Sequence, residues 1–178
     1  MTVAVLGAGA FGTALAIALG LAGRQVTLWT RDADEARMLG EARRNARRLP
    51  GAEFPETVSI SADLDMVSGA GVVLLAVPMQ AIADFLSAHG DRLAGLPVVA
   101  CAKGMNLETA EGPTALIQRL VPGAVAAVLT GPSFAADIAR GLPTALTLAT
   151  ADDAIGERLQ VELSTPNLRL YRTTDTVG

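Results

Sequence analysis

The sequence is nearly without cysteine and histidine, the residues that build disulfides, soft-ligand metal centres and nucleophile–histidine pairs. In 178 residues there is one cysteine, Cys101, and one histidine, His89. A single cysteine cannot close an intrachain disulfide, which fits a reducing cytoplasm. One cysteine and one histidine cannot assemble a soft-ligand metal site, so no metal is expected. His89 stands beside Gly90, where a loop is expected. Ser133 has no histidine near it in the pattern, which disfavours a Ser-His-Asp hydrolase. Aromatics make up only 3% of the chain, leaving a core of Ala, Val and Leu suited to close helix-on-sheet packing. The net charge of -4 and a pI near 4.9 argue against a nucleic-acid partner.

Charge is also missing at the amino end, where nothing before Arg24 is ionised. The stretch VLGAGAFGTALAIALGLAGRQ is apolar, and Ala14-Leu15-Ala16 imitates an export cleavage site. No Lys or Arg precedes it, however, and glycines at 7, 9, 12, 20 and 23 interrupt it. Each glycine disfavours a helix interior by about 1 kcal/mol. A buried strand, a turn and a buried helix explain the stretch better than a membrane span, and a cytoplasmic location is expected. Apolar on every face from Ala14 to Leu21, that helix should lie between the sheet and another layer.

Lysine is nearly absent: thirteen of the fourteen cations are arginine, and Lys103 is the exception. Seven arginines lie between Arg24 and Arg48, where Asp32, Asp34, Glu35 and Glu41 leave a local excess of three positive charges. In an acidic chain such a cluster suits either an anionic ligand or a solvated helix face.

What is present is an alternation of short apolar runs and helical patterns. Strands are expected at Val3–Leu6, Gln25–Thr30, Val58–Ile60, Val72–Val77, Val98–Cys101, Ala126–Leu129, Ala145–Ala149 and Leu168–Tyr171. Helices are expected near Phe11–Leu21, Asp34–Arg44, Ala81–Ala88, Pro113–Leu120 and Asp152–Leu163. Unbroken apolar strands are covered on both faces. The order therefore implies an α/β fold, a doubly wound and mainly parallel Rossmann-like sheet.

Between the first strand and helix stand Gly7, Gly9 and Gly12. In that context Gly7 permits the tight turn, Gly9 admits a pyrophosphate, and Gly12 lets helix and strand pack closely. The helix start near Ala10 offers free N–H groups to phosphate. The second strand ends Leu28-Trp29-Thr30-Arg31, without the acid that selects NAD. Arg31 can fork onto a 2′-phosphate or stack on adenine; as a plain exposed arginine it would only cap a helix. NADPH is expected to bind at least as well as NADH.

Three further segments fall at the carboxyl edge of the sheet, where ligands of such folds bind. Pro78 limits the turn after one strand, Lys103 projects after the next, and Gly131-Pro132-Ser133-Phe134 opens a helix after another. Ser133 also suits an ordinary N-cap.

Gly7-Ala8-Gly9-Ala10-Phe11-Gly12-Thr13-Ala14-Leu15-Ala16, Leu49-Pro50-Gly51, Ala76-Val77-Pro78, Lys103-Gly104, Gly131-Pro132-Ser133-Phe134-Ala135 and Arg140-Gly141-Leu142-Pro143-Thr144-Ala145 occur in this order. Together they resemble the amino-terminal domain of bacterial-type NAD(P)-dependent sn-glycerol-3-phosphate dehydrogenases, over the whole chain. The resemblance implies that Ala10, Phe11, Arg31 and Arg48 line an NAD or NADP molecule and that Ala135 approaches it. It places Lys103 on both cofactor and substrate, and Gly131 and Ser133 on a small phosphate substrate. The implied reaction is hydride transfer at C2 of dihydroxyacetone phosphate or glycerol 3-phosphate, supplying phospholipid precursors. Two positions depart from the family: Arg48 where an aromatic is usual, and Asp137 where a glutamate is usual.

The family continues into a helical domain with a second lysine as proton donor, an aspartate and an arginine–asparagine pair. On this expectation residues 1–178 form the dinucleotide-binding domain alone, the helical domain being missing from the chain. The exposed apolar edge or face left behind would favour homodimers or aggregation. Another two-domain dehydrogenase, such as a ketopantoate reductase, and a dinucleotide-sensing domain without chemistry are the alternatives.

Overall fold

The computed structural model describes residues 2–177. In chain order the elements are β1 (Thr2–Leu6), α1 (Ala10–Leu21), β2 (Gln25–Trp29), α2 (Ala33–Ala42), β3 (Val58–Ser61), β4 (Ala70–Leu75), α3 (Ile82–His89), β5 (Pro97–Ala100), α4 (Pro113–Leu120), β6 (Val125–Thr130), α5 (Ala135–Ala139), β7 (Thr144–Thr150), α6 (Asp153–Leu163) and β8 (Leu168–Thr173). One eight-stranded sheet has the order β3-β2-β1-β4-β5-β6-β7-β8. The chain winds outward from β1 to β3, then restarts at β4 on the other side of β1. In folds of this kind ligands bind at that reversal, in the crevice beyond the carboxyl ends of the strands, here β1 and β4.

β1 shows why the sheet is covered twice. Val3 and Val5 point into one apolar cluster, shared with α1. Ala4 and Leu6 point into another, shared with α3 and α4. All four are buried, as a central strand with two covered faces requires.

The strand pairing is parallel from β3 through β6, but β7 runs antiparallel to β6, and β8 is parallel to β7. Period and hydropathy carry no information on strand direction, so this reversal is not legible in the sequence. Expected from sequence to reach Val77, β4 ends at Leu75. Ala76 still donates to the Leu6 carbonyl at 2.8 Å, but Pro78 has no N–H with which to continue the ladder. α2 ends at Ala42, short of Arg44, because Arg43 adopts a left-handed conformation with φ 51°. His89 lies not in a loop but in the last turn of α3, its ring 5.0 Å from that of Phe85. Leu21 is 65% exposed, so the last turn of α1 is not covered as the rest of the helix is. Short 3-10 helices lie at Leu64–Gly69, Met79–Ala81 and Gly90–Leu93. Among the described residues no helix is long and apolar enough to cross a membrane.

Candidate dinucleotide site

Four backbone bonds just past the strand ends knit the carboxyl edge together. Gly7 N–H donates to Trp29 O at 3.0 Å, Ala76 N–H to Leu6 O at 2.8 Å, Cys101 N–H to Leu75 O at 2.9 Å and Thr30 N–H to Ser61 O at 3.0 Å. Loops that carry the candidate residues therefore start from a fixed platform.

The three glycines of the first loop face different surroundings. Gly7 has φ +118°, and a Cβ there would lie 2.6 Å from Ala76 O. A Cβ on Gly12 would lie 2.1 Å from Gly7 O, so no larger residue fits where α1 meets the loop. At Gly9 the backbone is ordinary, φ -70°, and a Cβ would meet nothing within 4 Å. The space in front of Gly9 is open, and Gly9 is the N-cap of α1 with no side chain capping it and no acid in the first turn. Unfilled N–H groups and the positive end of the helix dipole face that space, an arrangement that suits a pyrophosphate. Phe11 and Ala8, partly buried, pack back onto the core and hold the loop.

Asn45, which sequence reasoning missed, fixes the loop from the other side. Its side chain, 2% exposed, donates from Nδ2 to Ala8 O at 2.9 Å and to Thr13 Oγ1 at 3.0 Å. Its Oδ1 accepts from the Arg48 N–H at 3.2 Å. One buried carboxamide thus ties the glycine loop to the segment bearing Arg48. The only signal in the sequence is an asparagine just after a helix end, a common turn residue. Arg31 and Arg48 are both exposed, and neither guanidinium has a partner among the described residues. Asp32, not Arg31, caps α2, its Oδ1 accepting from Glu35 N–H at 2.9 Å.

On the other side of the crevice, exposed Pro78 leads into Gln80, whose Nε2 donates to Met105 O and whose Oε1 accepts from Leu107 N–H, both at 3.0 Å. Gln80 thereby holds the loop after β5. From that loop Lys103 Nζ donates to Gly131 O at 2.8 Å. Gly131 has φ +150°, and a Cβ would press to 2.9 Å from Leu146 Cδ2. Ser133 is not the N-cap of α5; Phe134 is, without a side-chain bond, and the enclosed Ser133 Oγ has no hydrogen-bond partner. Beside it opens a recess lined by Pro132, Phe134, Asp137, Leu142 and Pro143, with Phe134 76% exposed. Ala135 packs against the α1 side of the core. At the end of β5, burial pushes the Cys101 thiol up to about 12, so it is no nucleophile at neutral pH.

The structure thus brings Lys103, Gly131 and Ser133 to one part of the edge, and Gly7, Gly9, Ala10, Phe11, Gly12 and Arg48 to another, joined through the ends of β1 and β4. Arg31 sits at the end of β2 on the same edge.

Comparison with known proteins shows the family. A family model described as NAD-dependent glycerol-3-phosphate dehydrogenase N-terminus matches residues 2–155. A glycerol-3-phosphate dehydrogenase [NAD(P)+] from a Ruegeria species is 55% identical over 178 residues, covering 100% of this chain and 55% of that protein. Its counterpart from Cereibacter sphaeroides is 57% identical over 176 residues, covering 99% of this chain and 53% of that one. The chain spans about half the length of the curated relatives it matches. A crystal structure of a glycerol-3-phosphate dehydrogenase from Coxiella burnetii superposes with a TM-score of 0.90 at 30% identity, over 98% of this chain and 54% of that chain. A ketopantoate reductase from Ralstonia eutropha, with a TM-score of 0.72 at 22% identity, shares the fold alone.

Proposed function

The chain belongs to the family of NAD-dependent glycerol-3-phosphate dehydrogenase amino-terminal domains, and from that premise we propose that it is the dinucleotide-binding part of such a dehydrogenase. Gly7, Gly9 and Gly12, with the first turn at Ala10 and Phe11, hold the pyrophosphate of NAD or NADP. Arg31 and Arg48 meet the adenosine end, and Pro78 and Ala135 flank the bound dinucleotide nearer the substrate. When bound, the nicotinamide supplies a hydride to, or takes one from, C2 of dihydroxyacetone phosphate or glycerol 3-phosphate. Lys103 holds negative charge on the substrate oxygen, and Gly131 and Ser133 orient the substrate beside it. The reaction supplies precursors for phospholipid synthesis in the cytoplasm, and copies of the chain pair as homodimers.

The observation that carries this reading is the open position at Gly9 between two closed ones at Gly7 and Gly12. A fluorescence titration with NADPH and NADH, followed by an oxidation assay with dihydroxyacetone phosphate, tests it. These 178 residues are expected to bind both dinucleotides. Turnover by these residues is expected to fall far below the ordinary range of about 1–10³ per second, since they span about half the length of the curated relatives. Absence of binding overturns the reading; ordinary turnover overturns the division of labour.

A further inference from the structure

Strand β2 ends without a carboxylate, since Thr30 and Arg31 follow Trp29. In folds of this strand order an acid at that end accepts a hydrogen bond from the adenosine ribose 2′-OH. The first acid after the strand, Asp32, is engaged as the N-cap of α2, its Oδ1 accepting from Glu35 N–H, and the fold delivers another carboxylate from that helix. Glu35 lies in the first turn of α2, and its Oε2 accepts a hydrogen bond from Thr30 Oγ1. Its Oε1 lies 3.1 Å from Arg47 Nη2, with the Glu35 side chain 29% exposed and that of Arg47 72% exposed. Trp29, whose carbonyl accepts from Gly7 N–H, directly precedes Thr30, so the glycine loop and this carboxylate adjoin one strand end.

Resting on the dinucleotide reading above, we propose that Glu35 takes the place of the absent strand-end acid, and that its ion pair with Arg47 sets the choice between NADH and NADPH. Thr30 is a positioning residue: buried itself, it fixes the carboxylate at the end of β2. With Arg47 engaged, the charge on Glu35 is compensated, and its remaining lone pairs are free to accept from a 2′-OH. A 2′-phosphate is then tolerated beside it and finds the unpartnered guanidinium groups of Arg31 and Arg48. Without Arg47 the same carboxylate is uncompensated and repels that phosphate. One acid and its arginine therefore let a single site serve both dinucleotides.

Dissociation constants for NADH and NADPH, measured on the 178-residue chain and on Glu35→Gln and Arg47→Ala, test this. Glu35→Gln is expected to move the ratio of the two constants toward NADPH by about fivefold, and Arg47→Ala to move it toward NADH by a similar factor. Arg47 is exposed, so its variant keeps the fold even if Glu35→Gln loosens α2. If both variants change the two constants by equal factors, the proposal is overturned while the dinucleotide reading stands. If the unaltered chain binds neither dinucleotide, both are overturned.

Discussion

The Lys103 ammonium donates to the Gly131 carbonyl across 2.8 Å and so joins the loop after β5 to the loop after β6. Both residues sit at the carboxyl edge, and the contact ties the one lysine of the chain to the residue that precedes Pro132 and Ser133. Lys103→Ala removes a cation from an exposed position, so stability is expected to change by less than about 1 kcal/mol. Dinucleotide affinity is expected to fall severalfold. Thermal melting beside a titration separates the two, and a large loss of melting temperature would make Lys103 structural.

Gly9 and Gly12 should respond in opposite ways to one methyl group. Gly12→Ala drives a Cβ to 2.1 Å from the Gly7 carbonyl and is expected to unfold or distort the domain. Gly9→Ala meets nothing within 4 Å and has an unstrained backbone, so the fold should survive. The weaker N-cap costs at most about 1 kcal/mol. Yet the new methyl occupies the space a pyrophosphate needs, and binding should fall by about tenfold or more. Calorimetric melting and titration of the two variants decide the point.

Asn45→Ala leaves the enclosed Thr13 hydroxyl and the Ala8 carbonyl without their donor. Denaturant unfolding should show a loss of about 1–3 kcal/mol, the usual cost of orphaning a buried polar group. Asn45→Asp should bind dinucleotide worse still, because it sets a negative charge behind the anion-binding turn. Equal binding by the two variants would remove Asn45 from the site.

Alkaline pH should weaken the fold through Cys101. Burial pushes its thiol from 9.0 up to about 12. Below pH 9 both folded and unfolded chains keep the proton, and the contribution is intact. As pH rises from about 9 toward 12 the unfolded thiol ionises first, so stability is lost across that window. The stability difference between the unaltered chain and Cys101→Ala, followed by denaturant titration over that range, should shrink or reverse. A difference independent of pH would contradict the burial.

The parts of this architecture that depend on local pattern are legible in the residues themselves. Unbroken apolar runs such as Val72 to Leu75 mark doubly covered strands, and Gly7-x-Gly9-x-x-Gly12 after another such run marks the tight turn into α1. Features set by distant partners are not legible. Asn45 finds its partners 32 and 37 residues away, at Thr13 and Ala8, so in the chain it looks like any turn asparagine. Glu35 reads as a solvated helix acid until the fold sets Thr30 and Arg47 around it. The reversal of β7 leaves no local trace.

The open turn at Gly9 and the neighbouring strand ends are the proposed dinucleotide site. Amide hydrogen exchange of the 178-residue chain, with and without saturating NADPH, tests it most directly. Added NADPH should slow exchange in the glycine loop and first turn of α1, in the segment from Asn45 to Arg48, and around Lys103 and Gly131. Protection confined to other segments, or none anywhere, would contradict the account.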